Sequence, residues 1–371
     1  MNKRVLVLGA TGHFGGRIVR ALRHVDGIEV IAAARQTDRL QKLAAELALK
    51  ESAITSIDAF QDGLASRIRG LGADIVIHTV GPFQGQSYEV ARQCIAAQAH
   101  YIDLADGRSF VSDFSAALHA QASSANLLAV SGASTLPGLS SAVVDHYRTE
   151  FDSLEQIGIV IAPAQKTPRG QATIGAVLSY CGKPFQWMHD GRWTDIYGWQ
   201  SLQRVSLPKL GSRWAAACDV PDLALLPQRY DGVRSVQFRA ALELAPQHGG
   251  LWMLAALRQL MPSLPVERLA GPLGIVASKL DRFGSERGGM TIALHGVKDG
   301  KPKTLLWYLV AEQNQGPQIP CLAAELIARK LTGGELTSRG AMPCVGLLSL
   351  EDFTTAFKLW PYEYGLLDET A

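Results

Sequence analysis

Three glycines, Gly9, Gly12 and Gly15, stand three residues apart between an apolar run, residues 5–8, and an amphipathic stretch, residues 17–22. Positions without side chains at such a junction suit one kind of chemistry. They leave backbone N–H groups at a helix start open to an anion and let that anion approach the main chain. Gly9 would make the sharp turn, Gly12 would clear the approach, and Gly15 would let the helix lie close on the strand. The spacing is GxxGxxG rather than GxGxxG, a variant that depends on a strand–turn–helix context, and residues 4–24 supply that context. The ligand expected is the pyrophosphate of a dinucleotide, with Thr11, His13 and Phe14 completing the loop.

The second apolar run, residues 29–34, decides which dinucleotide. A carboxylate closing it would bind a ribose 2′-hydroxyl, whereas an arginine would suit a 2′-phosphate. The run closes with Arg35, and Arg39 follows one helical turn later. A permanently charged, planar guanidinium matches phosphate. NADP is therefore expected in preference to NAD. The alternative is that Arg35 is a solvated surface residue that reads nothing.

The stretch "ADIVIHTVGPFQG" (residues 73–85) ends an apolar strand at Thr79, Gly81, Pro82 and Phe83. Beside the glycine turn these would form a floor for the dinucleotide. Gly81 lets the cofactor pass the main chain, Pro82 stiffens the turn, and Phe83 walls the nicotinamide side. A plain strand-to-helix loop is the competing reading. The next strand, "HYIDLADG", places Asp103 and Asp106 at its carboxyl end. Acids closing an apolar strand cost free energy unless something polar uses them. They suit acid–base work or substrate orientation; Asp106 equally suits capping of the following helix. Asp106 and Lys166, the latter in the loop "AQKTPRG", are the candidate catalytic groups, with Tyr101, Asp103 and Ser134 as candidate substrate contacts. An exposed loop lysine is the plainer reading of Lys166.

The elements that must position these residues alternate. Strand-like runs at 4–8, 29–34, 53–57, 74–79, 100–104 and 127–131 are separated by helix-like runs at about 13–24, 38–50, 62–70, 86–97 and 110–124. This alternation predicts an α/β, doubly wound parallel sheet over residues 1–135. After Pro137-Gly138 the texture changes. All seven tryptophans lie from Trp187 onward, and longer strands at 154–161, 235–244, 290–296 and 303–311 lose their helix partners. The last two flank Asp299-Gly300, a tight-turn pair, and should form a hairpin. A second, α+β domain with a mixed or antiparallel sheet is expected over 136–319. A helix at 319–331 follows, and residues 320–371 are expected to return to the first domain.

Composition narrows the function classes. The chain has 371 residues and a formal net charge of +2, so no general field draws nucleic acid or an anionic membrane. Five cysteines without a CxxC pair fit a reduced, cytoplasmic setting with no structural metal. Residues 249–261 are too short a run to span a bilayer, which takes about 20 residues; they read as a buried helix or the seam of a homodimer, with peripheral membrane contact as the alternative. None of the nine tyrosines has a lysine four residues on, so a tyrosine–lysine proton relay is absent. No GxSxG elbow is present either.

"GATGHFGGRI", then "VGPFQGQSYEVARQCIAAQAHYIDLADG", resembles the dinucleotide-binding domain of saccharopine dehydrogenase-like oxidoreductases. "SGASTLPGLSS" is similar to that family's crossover into the second domain, and "GPQIPCLAAELIARKLTGG" to its late helix. The resemblance implies NAD(P)H-linked hydride transfer, with Gly9, Thr11, Gly12, Phe14, Gly15, Arg35, Gly81, Pro82 and Phe83 lining the cofactor. It does not name the substrate. A substrate with two amino-acid halves would want several cations aimed at carboxylates, and Lys166, Arg169, Arg192 and Arg213 form no clear set. Residues 185–199 are aromatic instead, which suits an apolar substrate, a lid, a dimer seam or core packing. The expectation is an NADP(H)-dependent oxidoreductase acting on a small-molecule imine, carbonyl or enoyl substrate. The alternatives are an NADP(H)-sensing protein without turnover and a lipid-active reductase.

Overall fold

Valine- and leucine-rich runs too short for helices become the strands of a parallel sheet. β1 (Lys3–Leu8), β2 (Ile28–Ala34), β3 (Ile54–Ser56), β4 (Ile75–His78), β5 (His100–Asp103) and β6 (Leu128–Ser131) alternate with α1 (Gly15–Leu22), α2 (Thr37–Leu47), α3 (Leu64–Gly70), α4 (Glu89–Ala96), α5 (Arg108–Ser112) and α6 (Phe114–Ser124). Val5, Leu6, Val7, Ile75, Val76 and Ile77 are buried, as strands covered on both faces require. Each such side chain contributes about 1.5–3 kcal/mol of transfer free energy. The computed structural model describes residues 2–168 and 170–368.

The order across this sheet is β3-β2-β1-β4-β5-β6, followed by a late strand, Gly340–Pro343, and every pair is parallel. The order reverses between β1 and β4, where Leu8 stands opposite His78. A crevice at the carboxyl ends of the strands opens at such a reversal. The late strand was not legible in the sequence.

The chain divides into two compact units, Met1–Leu139 with Gln318–Leu348, and Ser140–Pro317 with Ser349–Ala371. The helix Ile319–Gly333 belongs to the first unit, where Cys321 Sγ lies 3.7 Å from the carbonyl oxygen of Phe14. The segment from Ser349 onward counts with the second unit, which corrects the grouping of all of residues 320–371 with the first.

The second unit is built on a mixed sheet. Its main path runs Gln203–Leu207, Gly211–Ala217, Ser235–Ala240, Ser153–Ala162, Gly288–Lys298, Lys301–Ala311 and Tyr362–Asp368. Only Ser235–Ala240 and Ser153–Ala162 run parallel; the other neighbours along that path are antiparallel. Gly288–Lys298 and Lys301–Ala311 form the expected hairpin, with Asp299 at φ 50° and Gly300 at φ 74°. Positive φ at both turn residues matches the right-handed twist of the strands.

The aromatic segment 185–199 is itself a hairpin, Pro184–His189 with Arg192–Tyr197. Its rings serve two purposes. Trp187 and Trp199 are buried, whereas Trp193 and Tyr197 are exposed. The helix Ala245–Leu260 departs from the buried reading of residues 249–261, because Met253, Leu257 and Leu260 are all exposed.

Candidate nucleotide site

The site begins where β1 ends. Gly9 has φ +84°, a backbone conformation that side chains with Cβ rarely adopt. The turn is held by Gly9 N–H and Ala10 N–H donating to Ala33 O at 2.9 and 3.0 Å, and by Gly12 N–H donating to Gly9 O at 2.8 Å. A methyl group at Gly15 would strike the Gly9 carbonyl and would lie 2.8 Å from Thr79 Oγ1. Gly15 therefore allows the helix to close on the strand. A methyl group at Gly12 would meet only Gly9 O, at 3.0 Å, and Gly12 is exposed. One glycine is required by packing and the other faces outward.

No side chain caps α1, and no acid stands in its first turn. The positive end of the helix dipole is thus left for an external anion. Ala10, Thr11, Gly12 and Gly16 of this loop line a cavity of about 340 Å³, closed on the other side by Arg20, Arg39, Lys42, Leu43 and Glu46. Arg20 is paired with Glu46 at 2.6 Å. Arg39 and Lys42 bring the remaining positive charge. His13, the next residue of the loop, is not among the lining residues, and its pKa is lowered by burial and by the Arg17 guanidinium.

Arg39, Thr11 and Gly12 all line this one cavity. Arg35 is exposed at the end of β2 and is not among the residues lining the cavity. Lys42 was missed. Residues 39, 42, 43 and 46 fall on one face of α2 at helical spacing, so the signal was present.

The end of β4 departs further from expectation. The Gly81–Pro82 peptide is cis, and Gln86 Nε2 donates to Val80 O at 2.9 Å and Pro82 O at 2.6 Å. Thr79 turns its hydroxyl under the glycine loop, 3.3 Å from Gly9 O. The Phe83 ring is buried, with its centroid 5.2 Å from His78 and 5.5 Å from Phe110. It supports the turn from beneath instead of walling an open crevice. Gly81 and Pro82 remain at the surface of the turn.

Two expected substrate contacts are internal. Tyr101 is buried and stacks on Phe114 at 5.9 Å. Asp103 is fully buried; its Oδ1 accepts from Ala105 N–H at 2.9 Å, Ser131 Oγ at 3.0 Å and Gly132 N–H at 2.8 Å. That carboxylate fastens the end of β5 to the end of β6. Burial lifts its pKa to about 6 against those donors. Ser134, half-buried after β6, accepts from Leu139 N–H at 3.3 Å.

Asp106 is the expected acid that stays accessible. It is exposed beyond β5 and accepts from Gln84 Nε2 at 3.1 Å. Protein crowding its other sides raises its pKa by desolvation, opposed by the Gln84 amide. Lys166 lies in the second unit, exposed and 3.8 Å from the Glu286 carboxylate. Arg213 is buried there, donating to Pro163 O at 3.2 Å. Arg169 lies outside the described residues.

Among the described residues, no group of three or more His, Cys, Asp or Glu could hold a metal, and no helix is long and apolar enough to cross a membrane.

Residues 5–130 match the family model described as the saccharopine dehydrogenase NADP binding domain. Among solved structures, the chain is similar to saccharopine dehydrogenase (L-Glu forming) of Saccharomyces cerevisiae, at 12% identity over 100% of both chains with a TM-score of 0.68. It is also similar to homospermidine synthase of Legionella pneumophila, solved with NAD, at 12% identity over 99% of this chain and 92% of that one, TM-score 0.59. An engineered D-amino acid dehydrogenase bound to NADP+ shares 12% identity over 96% and 99%, TM-score 0.51. At these identities the likeness is one of fold. Among curated proteins, a highly reducing polyketide synthase, cnsI, of Penicillium expansum is 28% identical over 104 residues, which span 28% of this chain and 4% of that protein.

Proposed function

With residues 5–130 matching the saccharopine dehydrogenase NADP binding domain, we propose that the chain is an NADP(H)-dependent oxidoreductase. It acts on a small imine, carbonyl or activated alkene. The observation that carries this reading is the cavity between the uncapped start of α1 and the cationic face of α2. Gly12 clears the approach for the pyrophosphate, and the α1 N–H groups receive its charge. Arg39 and Lys42 are the groups assigned to a 2′-phosphate. No acid closes β2 to compete for a ribose hydroxyl, since Ala34 is followed by Arg35.

Bound there, a nicotinamide cofactor supplies or accepts hydride at its C4 carbon. The protein orients the two partners and manages the proton. Asp106 is the group assigned to that proton: it stands at the carboxyl end of the sheet, meets solvent, and holds its proton to higher pH than an ordinary aspartate. In reduction it gives that proton to the substrate atom left negative by hydride addition, the nitrogen or oxygen of an imine or carbonyl or the α-carbon of an activated alkene, and regains one from water.

Titration calorimetry with NADPH and NADH tests the binding half. NADPH should bind and Gly12→Val should abolish binding. Absence of uptake of either coenzyme overturns the reading. Oxidation of NADPH, followed at its absorbance band against a panel of imines, keto acids and enoyl compounds, tests the chemistry.

A further inference from the structure

The helix Ala245–Leu260 is inside out. Its only charged residue, Arg258, is buried, as is His248, the one histidine on it. Arg258 donates to Leu178 O at 3.1 Å and Cys181 O at 3.2 Å and pairs with Glu267 at 2.8 Å. The exposed face carries Gly250, Trp252, Met253, Leu257 and Leu260, with no charge among them. Leu260 is 82% exposed and Met253 66%. A surface helix of a soluble protein shows the opposite arrangement.

The apolar surface continues. Met261 and Leu269 follow, and the helix Ala270–Leu280 exposes Ile275 and Val276 before Phe283. Among the described residues, nine of the seventeen exposed large apolar side chains lie between residues 252 and 283. Scattered singly, such residues need no explanation; concentrated, they mark a binding surface.

Charge decides the occupant. Arg268, Lys279 and Arg282 are exposed along this segment, and the Arg282 guanidinium lies 4.6 Å from the centre of the Phe283 ring. Its two acids are turned elsewhere, Glu267 toward Arg258 and Lys183, and Asp281 toward Gln165. A second copy meeting this face about a two-fold axis would set cation against cation. An anionic bilayer surface suits both features: it takes the apolar rings at the headgroup boundary and neutralises the cationic rim.

We propose that residues 245–283 form a peripheral docking surface for membranes containing anionic phospholipid, with Trp252, Met253, Leu257, Leu260 and Phe283 as the inserting side chains. The helices lie in the interface and do not span it. The inference is independent of the nucleotide site.

Flotation of the full chain with vesicles of phosphatidylcholine, with and without phosphatidylglycerol, is the test. Wild type should float with the anionic vesicles and far less with phosphatidylcholine alone. Met253→Glu combined with Leu260→Glu should lower the bound fraction about tenfold or more. Both positions are exposed, and an unchanged thermal melt confirms that the variant is folded. Lys279→Glu with Arg282→Glu should remove the preference for the anionic lipid. The proposal is overturned if wild type floats with neither vesicle, if the Met253/Leu260 variant floats like wild type, or if wild type sediments as a dimer that this variant breaks while vesicles leave it unbound.

Discussion

The Thr79 hydroxyl donates to the carbonyl of Leu8 at 2.8 Å. The end of β4 is thereby tied to the strand that feeds the glycine turn, and the floor of the site and its anion loop are one hydrogen-bonded piece. Thr79→Val should remove that bond at a cost of about 1 kcal/mol. Gly15→Ala, whose methyl group would strike Gly9 O, should cost about 1–3 kcal/mol through overpacking. Urea unfolding of both variants measures this. Equal stabilities for wild type and Gly15→Ala would show that the helix does not depend on that close approach.

Arg39→Ala and Lys42→Ala address coenzyme choice. Each should weaken NADPH binding about tenfold or more, the range expected for a charge-assisted hydrogen bond, and leave NADH binding within about twofold. Calorimetry at two salt concentrations reads the effect, because losing a phosphate contact also flattens the salt dependence. Equal losses for both coenzymes would assign the two side chains to the pyrophosphate or to the fold.

Asp106→Asn separates binding from chemistry. NADPH affinity should be unchanged, while turnover falls about 10²–10⁴-fold, the usual contribution of a positioned general acid. In the reductive direction the wild-type rate should decline as pH rises through the elevated pKa of this carboxyl. The Asn variant should lack that limb. Turnover that survives the substitution with its pH profile intact removes Asp106 from the chemistry.

His78 is buried beneath the turn, and burial lowers its pKa to about 4. The folded chain refuses a proton that the unfolded chain binds below about pH 6.5. Folding stability from this group is therefore fully present at neutral pH and is lost as pH falls from about 6.5 to about 4, by about 3 kcal/mol at most. His78→Phe keeps a ring against Phe83 and Tyr101 and carries no such penalty. Stability curves for wild type and variant should converge or cross on acidification. Parallel curves would mean that the ring takes up a proton without cost.

Much of this was legible in the chain. The six strands of the first sheet follow from short apolar runs separated by helical spacing, and the glycine turn from its place between them. The late strand Gly340–Pro343 was hidden because "GAMP" begins with glycine, ends with proline, and is a strand only through its partner β6. At the site, Phe83, Tyr101 and Asp103 carried the right chemistry at the right end of their strands. Their inward direction is set by groups distant in sequence: Phe110 and Phe114 for the rings, Ser131 and Gly132 for the carboxylate. Asp106 lies beyond the end of β5 at Asp103 and is exposed although Leu104, Ala105 and Gly107 on either side of it are buried. Lys42 needed only the period of α2 to be found from Arg39.

The strand Gly340–Pro343 also governs how this protein can be born. A ribosome that has released β1 to β6 leaves the flank of β6 with bare amide and carbonyl groups until nearly the whole second unit has been synthesised. A gene fragment ending after Leu139 would carry that raw flank permanently and should tend to stick to its own kind. One that rejoins residues 318–348 by a short tether restores the missing neighbour.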